Sequence, residues 1–207
     1  MPAKANPEPE EKFIVEYENL MSTMPENEPI LFGDSVHPTQ AKKLTRGWIK
    51  HVKEQYIPTT RARMRVNIAG AINLATLQVM TRDYEKINSA SLMDFLKHVE
   101  SCYPKAPRIH IFLDQAPYHT SKETRKYVEN SQIVIHYLPS YNPNLNPIER
   151  LWKIMHEYVS NNKFYLKGSD FTNAVKHFFE KTVHEIKDLL QTRVTDNFEH
   201  LNTQFSF

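Results

Sequence analysis

Apolar positions recur along this chain at two periods, one near 3.6 and one near 2, and their order predicts alternating helices and strands. Residues 11–23 place Phe13, Tyr17 and Leu20 near one helical face, and Pro25 and Pro29 end that helix. The apolar run at 30–34 reads as a buried strand. Across 64–80, Val66, Ile68, Ile72, Leu74, Leu77 and Val79 alternate, which predicts a hairpin turning near Asn73. Residues 89–102 predict a helix capped by Ser89 or Ser91, with Leu92, Phe95, Leu96 and Val99 inward. A strand at 108–114 follows, then a helix opened by Thr120-Ser121-Lys122-Glu123 as a capping box, then a strand at 133–138. Pro139, Pro143 and Pro147 punctuate the next loop. From Pro147 a helix puts Ile148, Leu151, Trp152, Met155 and Val159 on one face. Two further helices are expected, at about 169–190 and 194–204. Residues 1–10 are polar and broken by proline, the signature of a disordered tail, and 38–63 hold no clean period.

The order is strand, hairpin, helix, strand, helix, strand, then helices. Strands that alternate with helices pair in parallel through right-handed crossovers, whereas a hairpin adds antiparallel strands. A mixed five-stranded α/β sheet flanked by helices satisfies both. The expected division is an acidic tail and short helix at 1–27, a central α/β unit at 28–165 and a C-terminal helical extension at 166–207.

Composition narrows the classes. The 207 residues are 40% hydrophobic and 24% charged, enough for a packed core. No apolar run approaches the ~20 residues of a membrane span. No charged-then-apolar leader follows Met1, so a cytoplasmic rather than a secreted protein is expected. The single cysteine, Cys102, excludes an internal disulfide, and none of the ten histidines completes a zinc-finger spacing. The four glycines form no phosphate-cradling loop. Net charge is only +2, but it is uneven. Residues 1–30 carry seven Glu against two Lys, and 41–65 carry eight Lys and Arg against one Glu. Lys42, Lys43, Arg46, Lys50, Arg61, Arg63 and Arg65 are the candidates for DNA phosphates, with Lys53, Trp48 and Tyr56 among them. The same run also reads as a solvated loop.

Three acids stand at element ends: Asp34 after Ile30-Leu31-Phe32-Gly33, Asp114 after Ile109-His110-Ile111-Phe112-Leu113, and Glu149 in Asn146-Pro147-Ile148-Glu149. Each has an ordinary explanation. Asp34 and Asp114 suit the start of a turn. With Asn146 as N-cap and Pro147 at the first helical position, Glu149 falls at the third, where a capping carboxylate belongs. Together they suit another role. Magnesium prefers oxygen ligands and keeps several waters, so three carboxylates can serve two ions that clamp an in-line phosphoryl displacement.

The words around the acids decide between these readings. Asp114-Gln115-Ala116-Pro117-Tyr118-His119-Thr120-Ser121, followed by Leu138-Pro139-Ser140-Tyr141-Asn142-Pro143-Asn144-Leu145-Asn146-Pro147-Ile148-Glu149-Arg150-Leu151-Trp152, resembles the DDE transposases of the mariner-like insertion-sequence superfamily. Thirty-four residues separate Asp114 from Glu149, a spacing of that family. Phe32-Gly33-Asp34-Ser35-Val36-His37-Pro38 resembles its first-aspartate motif, and Arg65-Val66-Asn67-Ile68-Ala69-Gly70-Ala71-Ile72-Asn73 its second strand. The likeness runs from about residue 28 to 165.

The resemblance implies a ribonuclease H-like fold in which the first and fourth strands lie side by side. It also implies two Mg²⁺ or Mn²⁺ ions, with Asp34 touching both and Asp114 and Glu149 holding one each. Water activated there would cut double-stranded DNA at the element ends, and the freed 3′-hydroxyl would attack target DNA. A homodimer is expected. Gln115 stands where the family usually has Asn and keeps its amide. His119 matches the motif and is a candidate for site support, or a polar residue before a capped helix. His37 reads as a loop residue, and Trp152 as core. The first 28 residues are acidic and too few for the helix-turn-helix region of such transposases. End recognition is therefore expected from a second polypeptide, or the frame is truncated or split. Two other functions fit the fold: a non-catalytic DNA-binding or assembly subunit, and a nuclease that hydrolyses without joining.

Overall fold

The computed structural model describes residues 7–40, 64–140 and 142–198. Five strands form one sheet in the order β3-β2-β1-β4-β5. They are β1 (Ile30–Val36), β2 (Asn67–Asn73), β3 (Gln78–Tyr84), β4 (Ile109–Leu113) and β5 (Ile133–Tyr137). β1, β2 and β3 pair antiparallel, while β4 pairs parallel with both β1 and β5. This is the mixed sheet the alternation predicts.

Side chains alternate across β1, so its two faces feed two cores. Leu31 joins Ala69, Ala71, Ile109, Ile111 and Leu113 beneath helix α2 (Ser89–Cys102), which contributes Leu92, Phe95, Leu96 and Val99. Phe32 joins Ile68, Ile72 and Phe112 on the opposite face. That face is covered by α1 (Pro7–Thr23), α4 (Ile148–Val159) and α5 (Gly168–His177). A short helix α3 (Lys122–Val128) links β4 to β5. Among the described residues, no helix is long and apolar enough to cross a membrane.

Several local expectations change. The first helix begins at Pro7, inside the stretch expected to be a tail, because proline's missing N–H costs nothing in a first turn. The hairpin turns over 74–77, with Asn73 Oδ1 accepting from the amides of Ala75 and Thr76. β3 then runs on to Tyr84, past the expected end, because this edge strand is half exposed and its polar half carries no apolar period. Asn88, not Ser89 or Ser91, caps α2; its side chain accepts from the Ser91 amide while Ser91 Oγ accepts from Asn88 N. Ser121 caps α3 through the Thr124 amide, so the box expected from Thr120 to Glu123 does not form.

The expected helix at 169–190 is divided. A π-helical turn at Phe178–Thr182 follows α5, then α6 (Val183–Glu185), a break at Ile186, and α7 (Lys187–Arg193). The wider turn brings Phe178 and Val183, five apart, onto the buried side together. Residues 195–198, expected to be helical, are not. The Thr195 carbonyl accepts from Arg150, Asp196 accepts from Tyr17, and Phe198 packs among the rings of Phe13, Tyr17 and Phe32. The rest of that expected helix lies outside the described residues.

Candidate active site

The register of two parallel strands brings two acids together. Phe32 pairs with Phe112, and their rings stack with centroids 5.0 Å apart. Asp34 and Asp114 each lie two residues further on, so both point to the same face as those rings. Adjacent strands run about 4.8 Å apart, which makes the two carboxylates neighbours.

The third acid arrives by the loop after β5. Prolines 139, 143 and 147 restrict its backbone, and a 3₁₀ turn spans Pro143–Leu145. Asn146 does not cap the helix that follows, as the sequence suggests it should. Its Nδ2 donates instead to the Gly33 carbonyl at 3.2 Å, which ties the loop to β1. Glu149 then sits in the first turn of α4, next to that tie.

Asp34, Asp114 and Glu149 line one cavity of about 300 Å³, with Gln115, Leu138, Pro139, Asn142 and Asn146. The three carboxylates differ in environment. Burial pushes the Asp34 carboxyl up to about 6, and the charges of Glu149 and Asp114 add to the rise. Bonds from the Ser35 backbone and from Trp152 oppose it. Glu149 is also raised, chiefly by burial, with Lys153 one turn along pulling the other way. Asp114 is lowered, chiefly by its hydrogen bond from His119.

The other predicted residues fall as follows. His119 is buried, and its Nδ1 donates to Asp114 Oδ1 at 2.6 Å. Asp114 Oδ1 also accepts from the Ala116 amide, so the turn reading of this aspartate is true as well. Gln115 Nε2 donates to the Leu138 carbonyl at 3.0 Å, joining the loops after β4 and β5. His37 meets Asn67 at 2.9 Å. Arg65 is exposed and bridges Thr39. Lys42, Lys43, Arg46, Lys50, Arg61 and Arg63 lie outside the described residues.

Two contacts were not read from the sequence. Trp152 is buried as expected, but its Nε1 donates to Asp34 Oδ2 at 3.0 Å. Lys153 reaches the field of Glu149 from four residues on, a helical spacing that could have found it.

Among the described residues, no three His, Cys, Asp or Glu side chains form a ready-made cage for a single ion. The donor set suits a hard cation shared with a ligand. Its three acids offer hard oxygens, and burial together with the neighbouring charges lifts Asp34. The buried Asn146 Oδ1, beside the cavity, has no hydrogen-bond donor among the described residues.

The chain is similar to known proteins in sequence and in fold. Residues 29–172 match a family described as DDE superfamily endonuclease. An uncharacterized 39 kDa protein of insertion element IS630 from Shigella sonnei is 26% identical over 176 residues, 84% of this chain and 51% of the relative. The transposase of transposable element Tc3 from Caenorhabditis elegans is 30% identical over 135 residues, 64% of this chain and 40% of the relative. The chain therefore spans about half, or less, of these relatives' lengths. The crystal structure of the Mos1 mariner paired-end complex with Mn superposes with a TM-score of 0.64 at 14% identity, over 96% of this chain and 65% of that one. That likeness is one of fold.

Proposed function

This chain belongs to the DDE superfamily endonucleases, of the mariner and insertion-element kind, and on that premise we propose that it cuts DNA at transposon ends and joins them to target DNA. Its sheet is ribonuclease H-like. The observation that carries the reading is the convergence of Asp34, Asp114 and Glu149, from β1, β4 and α4, on one cavity.

In this reading the three carboxylates hold divalent ions, two by the chemistry of such sites. A structural neighbour containing Mn supports the choice of cation. When bound, the ions activate the attacking oxygen and neutralise charge on the phosphate. The chain's own residues set the geometry. Asp34 feels the charge of both other acids. His119 fixes Asp114 by Oδ1, leaving Oδ2 for a ligand. Gln115 and Asn146 hold the surrounding loops. Lys153, exposed beside Glu149, suits a phosphate of the DNA strand. Lys42, Lys43, Arg46, Lys50, Arg61, Arg63 and Arg65 are proposed to bind the duplex beyond the cavity. Double-stranded DNA, a homodimer and a separate end-reading helix-turn-helix subunit complete the proposal.

The test is nicking of a plasmid that carries this reading frame with its flanking DNA, with Mg²⁺ or Mn²⁺. Cleavage is expected from the intact chain and about 10²–10³-fold less, the effect of removing one essential electrostatic group, from Asp34→Asn, Asp114→Asn or Glu149→Gln. Cleavage that persists in all three variants would sink the proposal. Labelled end fragments offered a second plasmid distinguish joining from hydrolysis alone.

A further inference from the structure

We propose that Trp152 is a positioning residue for Asp34, aimed by a vacancy at Gly70, and this rests on the reading of Asp34 as a metal-holding carboxylate. Two observations carry it. The indole Nε1 donates to Asp34 Oδ2 at 3.0 Å. Gly70 pairs with Asp34 across β1 and β2, so the two share a face of the sheet. The Trp152 ring lies over Gly70: a Cβ built there would stand 2.5 Å from its Cη2 and 3.1 Å from its Cζ2. A rigid bicyclic ring cannot yield to such a contact by bending a flexible end. Glycine is thus the residue that lets the ring approach β2 this closely while its N–H reaches Asp34 on the neighbouring strand.

Core packing alone does not account for this arrangement. Trp152 is 3% exposed, and it packs edge-on to Phe179. A phenylalanine or leucine would fill an apolar site without a donor to satisfy. A buried indole needs an acceptor, and here the acceptor is a charged carboxylate, which makes the bond charge-assisted. It fixes the rotation of the Asp34 carboxylate by one oxygen. Asn146 fixes the adjacent backbone through the Gly33 carbonyl. The two donors lie three residues before and three after Glu149, so the segment that presents one acid also clamps another.

The experiment compares Trp152→Phe with Ile154→Val, a buried position on the same helix, in the DNA-free protein. Mn²⁺ affinity is read by calorimetry and stability by thermal melting. Losing a partner of a metal-holding carboxylate costs about 10–100-fold in affinity, so Trp152→Phe is expected to weaken Mn²⁺ at least tenfold. Ile154→Val is expected to lower Tm and leave the affinity unchanged. Equal Mn²⁺ affinity in Trp152→Phe and the unaltered protein overturns the proposal. Should Trp152→Phe not fold, the unaltered protein still answers. It has two tryptophans, Trp48 and Trp152, so its nitrogen-15 spectrum holds two indole signals. One is expected to shift on Mg²⁺ addition with the calorimetric midpoint, and the absence of any such shift overturns the proposal. Asp34→Asn separates the two levels. If it binds Mn²⁺ normally, the reading of the site fails; if it loses Mn²⁺ while Trp152→Phe keeps it, only the role of Trp152 fails.

Discussion

At the scale of single residues, two of the three acids, Asp34 and Glu149, work against the fold, while the His119 bond favours ionised Asp114. Asp34 is held near 6 because burial and two like charges disfavour its ionised form. An acid whose pKa rises on folding binds its proton more tightly in the native state. Stability is then greatest below the unfolded value of 3.8 and falls as pH rises through about 6. At neutral pH without metal the cost is on the order of 2–3 kcal/mol. Asp34→Asn is therefore expected to raise Tm in chelator at pH 7.5 and to abolish cleavage. Added Mg²⁺ should raise Tm in the unaltered protein only, because an ion that binds the native state stabilises it by mass action. An Asn variant that melts lower than its parent in chelator would show that Asp34 is not under repulsion. That these three acids would meet was legible from the words around them. Their inequality was not, since burial and the His119 bond depend on how the chain packs.

At the scale of elements, periodic segments were legible and their joints were not. Leu92, Phe95, Leu96 and Val99 announce α2, and Ile109 to Leu113 announce β4, because one face of each must be buried. Caps shifted by a residue or more, because Asn88 and Ser121 compete with nearby serines and threonines that offer the same chemistry. Asn146 is the larger miss. Its local context spells an N-cap, and only the approach of β1, 113 residues earlier in the chain, offers the Gly33 carbonyl instead. Asn146→Ala should remove that tie, cost about 1 kcal/mol of stability, and lower cleavage by more than a comparable loss elsewhere. Urea unfolding beside a nicking assay measures both.

The β4 and β5 strands carry a second joint. His110 on β4 donates through Nε2 to Glu28 at 3.0 Å, and its Nδ1 meets His136 Nε2 on β5 at 2.8 Å. Burial and the His110 charge push His136 down to about 4. A histidine lowered by folding stays neutral in the native state while the unfolded chain takes up its proton. Stability is thus full above 6.5 and is lost as pH falls towards about 4. His136→Gln should flatten the urea midpoint across that window, and an unchanged slope would remove His136 as its cause.

At the scale of the whole molecule, the family match and the folding unit do not coincide. The match covers residues 29–172, which leaves out α1, the second half of α5 and everything after it. Yet α1 buries Phe13, Ile14 and Tyr17 against the face of the sheet that carries Phe32 and Phe112. The Tyr17 hydroxyl donates to Asp196 Oδ2 at 2.8 Å, so the two flanking segments lock to each other across that face. Arg193 adds a forked pair to Glu157 on α4, with both bonds 2.7 Å long. Burying three large side chains stabilises by about 2 kcal/mol each, comparable to the roughly 5–15 kcal/mol that holds a whole domain together. A chain cut to residues 29–172 is therefore expected to lose cooperative melting and to bind an apolar dye, because the rings of Phe32 and Phe112 become exposed. Restoring residues 7–28 alone should recover part of the transition, since Tyr17 would still lack Asp196. Restoring both flanks should recover it fully. A sharp, dye-free melt from residues 29–172 alone would mean that the sheet and α4 suffice, and that α1 and the C-terminal helices are packed on that unit without supporting it.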